Sequence, residues 1–198
     1  MIPVGYMAKR IALKPDWLNA ARVVDLYSVS GCTSECFLDD LVGYAYEIDS
    51  KINGWYFFDS PQQIESLACQ KSIDLKEAQL FYYEAHELEY AAGGPRTFQP
   101  EHSIRVSVEP PASKQLAGFH VVTFRTGRFS ECSPLSCNSL ATDIHTNSHC
   151  LLDSFDEAEA GLNSGELLKG EVGPYRIFAV YLVDWPRPLC AFPQVTVE

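Results

Sequence analysis

Basic residues are scarce in this 198-residue sequence, which has 15 lysines and arginines, 26 aspartates and glutamates, and a formal net charge of -11. Proteins that bind nucleic acid use basic stripes to neutralise phosphate, and the nearest basic cluster, Lys9, Arg10 and Lys14, is too small for that role. The same shortage disfavours anionic membrane surfaces. We therefore expect no nucleic acid and no membrane among the partners, whereas a basic protein or a cationic ligand is compatible with the charge.

Long hydrophobic runs are also missing. The longest, Ile177–Val183, has the length of a strand, whereas a membrane-spanning helix needs roughly 20 apolar residues. Residues 1–17 are interrupted by Pro3 and by basic residues, so they lack the continuous apolar core of a signal peptide. The seven cysteines are an odd number, which without an export signal favours reduced thiols over a disulfide framework. We expect a soluble, cytoplasmic protein.

Common catalytic motifs are absent from the sequence. It contains no Gly-x-Gly-x-x-Gly fingerprint, no phosphate-binding loop, no Gly-x-Ser-x-Gly elbow and no His-Glu-x-x-His pair. These absences favour a protein that is not an enzyme. Aromatic residues are plentiful, with 11 Phe, 10 Tyr and 3 Trp, and they suit either core packing or an exposed binding platform.

Four short patterns occur twice, in the same order and at nearly constant spacing. The pairs are Leu18–Tyr27 with Leu116–Arg125, Gly31–Cys36 with Gly127–Cys132, Asn53–Glu65 with Asn147–Glu159, and Leu80–Tyr83 with Ile177–Val180. This repetition predicts two diverged lobes about a pseudo-twofold axis, with Val23 equivalent to Val121. The predicted boundaries are an N-terminal lobe at 1–90, a loop-rich connector at 91–115 and a C-terminal lobe at 116–198, together forming one globular unit.

Short runs rich in β-branched and aromatic residues predict the strands. They are Arg22–Val29, Trp55–Phe58, Leu80–Ala85, Phe119–Arg125, Cys150–Leu152 and Tyr175–Val183, with an additional edge strand at His102–Val108 and a short helix within Cys32–Ile48. Asp59-Ser60-Pro61 and Asp153-Ser154 each predict the start of a helix, because Asp and Ser cap free amides. The predicted fold class is α+β: two pseudo-repeated β-β-α-β lobes with a mainly antiparallel sheet and helices packed on one side.

The cysteines of the two equivalent loops form one candidate site. If these loops meet near the axis, the thiols of four residues converge, and a structural zinc site needs four such ligands: Cys32, Cys36, Cys132 and Cys137. Their Cys-x3-Cys and Cys-x4-Cys spacings differ from the Cys-x2-Cys of typical zinc knuckles. Partly buried thiols that act as small hydrophobes are the alternative and need no cofactor; a redox or disulfide role is a third.

The repeated Ser-Glu-Cys pattern predicts a ligand or partner groove between the lobes. Glu35, Cys36, Glu131 and Cys132 would surround that groove, and its carboxylates would favour a cation. In the alternative interpretation, the serines cap a following turn and the acids stabilise its amides. A Cys–His nucleophile formed by His149 and Cys150 is disfavoured, because neighbours on a strand point to opposite faces.

Two functions follow from these patterns. The first is a small acidic binding protein, such as an inhibitor or immunity-type partner of a basic protein. It draws on the net acidity, the aromatic content and the absence of catalytic motifs. The alternative is an enzyme or metal-dependent protein that uses the inter-lobe groove with its glutamates and cysteines.

Overall fold

The fold is a mainly antiparallel sheet with two α-helices, which is compatible with the predicted α+β class. The computed structural model describes residues 1–29, 53, 55, 57–91, 93–98, 107–123, 132–170 and 172–186. Within these residues the strands are β1 (Ile2–Lys9), β2 (Ala12–Leu13), β3 (Asp25–Leu26), β4 (Gln79–Ala91), β5 (Gly94–Thr97), β6 (Gln115–Thr123) and β7 (Tyr175–Val183). The helices are α1 (Pro61–Lys71) and α2 (Phe155–Asn163), with short 3-10 turns at Leu140–Thr142 and Leu167–Lys169.

The main sheet has the strand order β1-β4-β7-β6, and β5 forms a hairpin with β4. All of its pairings are antiparallel, and the central pair β4–β7 joins strands from the two halves of the chain. One hydrophobic cluster includes Tyr83 and Phe178, and a second includes Val121 and Ile177. No helix in the described ranges is long and apolar enough to cross a membrane.

Several predicted elements are confirmed. β7 has the predicted limits, and the strands predicted at Leu80–Ala85 and Phe119–Arg125 lie in β4 and β6, although β6 ends at Thr123. Both helices begin directly after the predicted serines, Ser60 and Ser154. At the start of α1, the Ser60 hydroxyl accepts a hydrogen bond from the Gln63 amide at 3.3 Å.

Other predicted elements are wrong or lie outside the described residues. Of Arg22–Val29, only Asp25–Leu26 is a strand, so Val23 has no strand position equivalent to that of Val121 in β6. Trp55–Phe58 and Cys150–Leu152 reduce to single bridges, Tyr6 with Phe58 and Phe119 with Leu152. The strand β1 was not predicted. The helix predicted within Cys32–Ile48 and most of the predicted edge strand at His102–Val108 fall outside the described residues.

An asparagine organises the turn that precedes the bridge between Phe58 and β1. The Asn53 side chain donates to the Val4 carbonyl at 2.9 Å, and its oxygen accepts from the amides of Trp55 and Phe57 at 2.9 and 3.3 Å. Gly5 has φ +136, and a Cβ there would lie 2.6 Å from the Phe57 Cβ. Glycine is required because the strand and this turn are in direct contact.

The second half contains the same arrangement. Asn147 donates to the Ala117 carbonyl at 2.8 Å and accepts from the amides of His149 and Leu151 at 2.9 and 3.2 Å. Gly118 has φ +148, and a Cβ there would lie 2.8 Å from the Leu151 Cβ. Each half therefore places a glycine of an edge strand against an asparagine-centred turn that leads into a capped helix.

The cap of α2 supports a first prediction. The Ser154 hydroxyl accepts from the Glu157 amide at 3.2 Å, and the Glu157 carboxylate accepts in return from the Ser154 amide at 3.3 Å. Ser154→Ala should lower the free energy of unfolding by about 1 kcal/mol, because it leaves a helix amide without this partner. Urea denaturation measures the change. Ser113→Ala, at an exposed position in a loop, is the control; equal midpoints for the two variants would contradict the capping role.

Candidate functional site

The predicted groove and zinc site fall largely outside the described residues. Cys32, Glu35, Cys36 and Glu131 are not among them, so their convergence stays a prediction. The structure describes Cys132 and Cys137. No group of three or more His, Cys, Asp or Glu side chains within the described ranges is arranged to hold a metal ion.

Both described cysteines of the predicted zinc site lie after β6. Cys132 donates its amide to the Thr123 hydroxyl at 3.0 Å, and Thr123 donates its amide to the Cys132 carbonyl at 2.9 Å. Cys137 donates its amide to the Ser133 carbonyl at 2.9 Å and places its sulfur 3.9 Å from the Ser136 hydroxyl. Cys132 is thereby fixed at the end of an edge strand.

The structure provides no nucleophile at Cys150. This residue is buried, and burial, with a smaller contribution from Cys137, raises the pKa of its thiol to about 12. The thiol is therefore protonated at neutral pH, whereas a cysteine nucleophile must be a thiolate. The neighbouring imidazole of His149 makes a different contact, with its Nδ1 at 2.6 Å from Asp25 Oδ1.

The contacts of His149 join the N-terminal segment to the second asparagine-centred turn. The Tyr27 ring stacks on the His149 ring with centroids 3.9 Å apart and planes inclined by 11°. In the backbone, the Val24 amide donates to the Ser148 carbonyl at 2.8 Å, and the Tyr27 amide donates to the His149 carbonyl at 3.1 Å. Residues 24–27 are therefore held by this turn and not by a long strand ladder.

Two buried side chains from opposite edges of the sheet hold the end of the same segment. Lys9 on β1 donates to the carbonyls of Ser28 and Val29 at 2.5 and 3.1 Å. The Val29 amide donates to His120 Nδ1 on β6 at 3.2 Å. Burial, with a smaller contribution from the Lys9 charge, lowers the pKa of His120 to about 3. His120 is therefore neutral near pH 7 and acts as a hydrogen-bond acceptor.

The segment held in this way exposes large apolar side chains. Leu13 is 77% exposed, Val24 62% and Trp17 53%. Within the described residues, four of the seven exposed large hydrophobics lie between Ile11 and Val24. Exposed apolar side chains concentrated on one short segment are typical of a protein-binding surface, and tryptophan is the residue most enriched at the energetic centre of such surfaces.

An acidic helix begins close to this segment. Residues 150–168 contain five acidic residues and no lysine or arginine, and Asp153, Asp156 and Glu157 are exposed. The link between the two regions is His145, whose Nε2 lies 3.4 Å from Arg22 Nη1 and 3.5 Å from Asp153 Oδ2. We call the six residues Leu13, Trp17, Val24, Asp153, Asp156 and Glu157 the docking surface.

A pocket of about 300 Å³ is lined in part by Arg22 and His145, the residues that link the two parts of the docking surface. Ala21 and Arg22 line one side, and residues 141–146 line the other. The pocket combines the charged groups of Arg22 and Asp143 and the imidazole of His145 with apolar side chains.

The sequence patterns predicted none of the docking-surface residues as a site. Leu13 and Trp17 belong to no repeated pattern, and Val24 lies in the repeated block Leu18–Tyr27, which predicts a buried strand. The exposure of these side chains depends on how the segment packs against the turn at Asn147. The acidic residues from Asp153 to Glu166 are visible in the sequence, where Asp153 with Ser154 predicts only the start of a helix. The chain matches no protein-family model, and it has no significant similarity to a curated protein or to a solved structure.

Proposed function

We propose that this protein is a small acidic binding protein whose docking surface binds a basic protein, as an inhibitor or an immunity-type partner does. The observations that carry the proposal are the exposure of Trp17, Leu13 and Val24 and the link, through Arg22 and His145, between their segment and the acidic start of α2. An apolar centre with a charged rim is the usual composition of a specific protein interface. No catalytic group is needed for such a role.

The apolar and acidic parts of the docking surface would contribute differently. Burial of an exposed tryptophan in a partner's pocket supplies affinity, because tryptophan is a frequent hot-spot residue. Asp153, Asp156 and Glu157 would accelerate association and select positively charged partners, since charge complementarity acts mainly on encounter rate and specificity. The net charge of -11 extends this attraction over the whole molecule.

We also propose that the two halves descend from a duplication, in which Asn53–Glu65 corresponds to Asn147–Glu159 as predicted but the strand equivalent to β6 is a different one. The support is the matched contacts of Gly5 with Asn53 and of Gly118 with Asn147, followed in each half by a serine-capped helix. In the strand order β1-β4-β7-β6, each half of the chain contributes one edge strand and the central strand beside it. Exchange of the two halves therefore pairs β1 with β6 and β4 with β7. In this alignment the counterpart of β6 is β1, and not Leu18–Tyr27.

A reducing compartment such as the cytosol belongs to the same proposal. Cys137 and Cys150 carry free thiols, which supports it. The segment that follows β1 is longer than the one that follows β6, and it carries Trp17 and Leu13. The apolar part of the docking surface would therefore be an addition specific to the N-terminal half.

Site-specific photo-crosslinking tests the proposed function. With p-benzoylphenylalanine in place of Trp17, irradiation of cells that make the protein should yield one predominant adduct, with a positively charged protein identified by mass spectrometry. The matched control carries the crosslinker at Val172, which is 78% exposed and outside the docking surface. The same adducts at both positions, only acidic proteins among them, or no adduct at position 17 would contradict the proposal.

A further inference from the structure

A row of three tyrosines, none of which belongs to the docking surface, crosses the main sheet from β1 to β7. Tyr82 on β4 lies directly opposite Tyr6 on β1 and Tyr181 on β7. Directly opposed residues on neighbouring strands share a face, and the ring centroids are 5.0 Å apart for Tyr6–Tyr82 and 5.8 Å apart for Tyr82–Tyr181. Glu84 follows two residues after Tyr82, and therefore lies on the same face.

The carboxylate of Glu84 is the polar centre of this row. Its Oε2 accepts from the Tyr181 hydroxyl at 2.9 Å, and its Oε1 accepts from the Tyr82 hydroxyl at 3.3 Å and from the Lys114 ammonium. Burial acts to raise the pKa of Glu84, but the hydrogen bonds and the Lys114 charge outweigh it and lower that pKa. The side chain is 14% exposed, so an ionised carboxylate lies just below the surface.

Lys114 places its ammonium among these groups. The Nζ atom lies 4.1 Å from the centroid of the Tyr181 ring and 5.0 Å from that of the Tyr82 ring. Two aromatic faces and one carboxylate around a cation are the groups with which proteins recognise alkylammonium ligands. We call Tyr82, Glu84 and Tyr181 the ammonium cage.

The cage residues belong to the central strands of the sheet, whereas Lys114 belongs to a segment without regular secondary structure. The cage residues lie on β4 and β7, the two central strands of the sheet. Lys114 ends the segment 107–114, which has no helix or strand and is exposed at most positions. Among the described residues, the contacts of this segment besides Lys114–Glu84 include hydrogen bonds from the Tyr6 hydroxyl to the Glu109 carbonyl at 2.7 Å and from the Ser107 hydroxyl to Asp59 Oδ2 at 3.1 Å. Val108 also packs against the first hydrophobic cluster.

We infer that the ammonium cage is a binding site for an alkylammonium group, and that Lys114 is an internal occupant that an external ammonium displaces. The external group is a lysine side chain of a protein or a free aliphatic amine, which share the same chemistry. Displacement conserves the charge in the cage, so Glu84 keeps a cationic partner throughout. This inference does not depend on the docking surface or on the proposed partner.

Removal of Lys114 provides the direct test. In Lys114→Ala, both Nα-acetyl-lysine methylamide and cadaverine should bind at least tenfold more tightly than in the wild-type protein, with saturable shifts of the Tyr82, Glu84 and Tyr181 amide signals in ¹H–¹⁵N spectra. Tighter binding of the first probe identifies a protein lysine as the natural ligand, and tighter binding of the second identifies a free amine. Lys76→Ala, which removes an exposed lysine elsewhere, is the control for the change in net charge.

Two further variants make the result specific to the cage. Glu84→Gln in the Lys114→Ala background should weaken amine binding at least tenfold, because it removes the carboxylate. Lys114→Met keeps the aliphatic stem and should bind amines as Lys114→Ala does, which covers the case in which the alanine variant does not fold. Equal amine affinity in wild type and both Lys114 variants, no effect of Glu84→Gln, or equal binding of the neutral Nε-acetylated probe would overturn the inference.

The wild-type protein offers a measurement that needs no substitution. If an external amine displaces Lys114, the Lys114 ammonium becomes more accessible to acylating reagents. The rate of its modification, followed by mass spectrometry, should rise at least threefold when a tertiary amine that resists acylation, N,N-dimethylbutylamine, is added. The rate at Lys76 should not change. An unchanged rate at Lys114 would show that the internal occupant does not exchange.

Discussion

Gly5→Ala and Gly118→Ala are each expected to lower the free energy of unfolding by roughly 3–5 kcal/mol, from steric overlap together with backbone strain. A Cβ at Gly5 would lie 2.6 Å from the Phe58 carbonyl oxygen, and one at Gly118 would lie 2.8 Å from the Leu152 carbonyl oxygen. Both contacts are with backbone, which cannot move aside cheaply. Since small domains have only about 5–15 kcal/mol of stability, either variant should be close to unfolding.

Substitutions at two other glycines separate the contribution of steric overlap from that of backbone strain. Gly93 has no atom within 4 Å of an added Cβ and no positive φ, so Gly93→Ala should be nearly neutral. Gly165 has φ +80 but no atom within 4 Å, so Gly165→Ala reports the backbone strain alone. Urea denaturation of the four variants gives the comparison. A midpoint for Gly5→Ala equal to that for Gly93→Ala would show that β1 does not contact the turn at Asn53.

The second large effect concerns His120 and acid pH. Because its pKa falls from 6.5 to about 3 on folding, the unfolded chain binds a proton in this range that the folded protein does not. The contribution of His120 is therefore fully present above pH 6.5 and is lost progressively as the pH falls toward 3. Between pH 7 and pH 4 this linkage amounts to roughly 3 kcal/mol.

His120→Asn isolates this contribution from that of the carboxylates. The asparagine oxygen can accept the Val29 amide in place of Nδ1, and it does not titrate. The loss of unfolding free energy between pH 7 and pH 4 should be smaller in this variant than in the wild type by roughly 3 kcal/mol, measured by urea denaturation at both pH values. Parallel losses in the two proteins would mean that His120 is not the buried neutral acceptor of the Val29 amide.

The sequence predicted most accurately those elements whose position depends on residues within the element or next to it in the chain. The serines and proline at the helix starts are local signals, and α1 and α2 begin where those signals stand. β7 is an apolar run buried along most of its length, so composition alone located it. The sequence did not predict β1, because Pro3, Gly5 and Lys9 interrupt its apolar pattern. In the structure Gly5 lies against the turn at Asn53, and the buried Lys9 ammonium donates hydrogen bonds to two carbonyls, so both residues fit in the strand.

The error at Arg22–Val29 has the opposite origin. Val23, Leu26 and Val29 are buried, as expected of a strand, but the backbone of this segment bonds to Ser148, His149 and the His120 ring. The apolar content of this segment predicted correctly that these side chains are buried. It predicted wrongly that the backbone pairs with a neighbouring strand along the whole segment. The candidate sites depend on contacts of the same kind: Glu84 and Lys114 are 30 residues apart in the chain, and no local pattern joins them.

The affinity of the protein captured by crosslinking at position 17 tests the proposed function most directly. With that protein purified, Trp17→Ala should raise the dissociation constant roughly 30-fold, as expected for a hot-spot tryptophan, and Val172→Ala should leave it unchanged. Higher salt should weaken binding by slowing association, because the acidic rim acts through charge. Equal affinity for Trp17→Ala and the wild type, or association that does not depend on salt, would contradict a docking surface made of an apolar centre and an acidic rim.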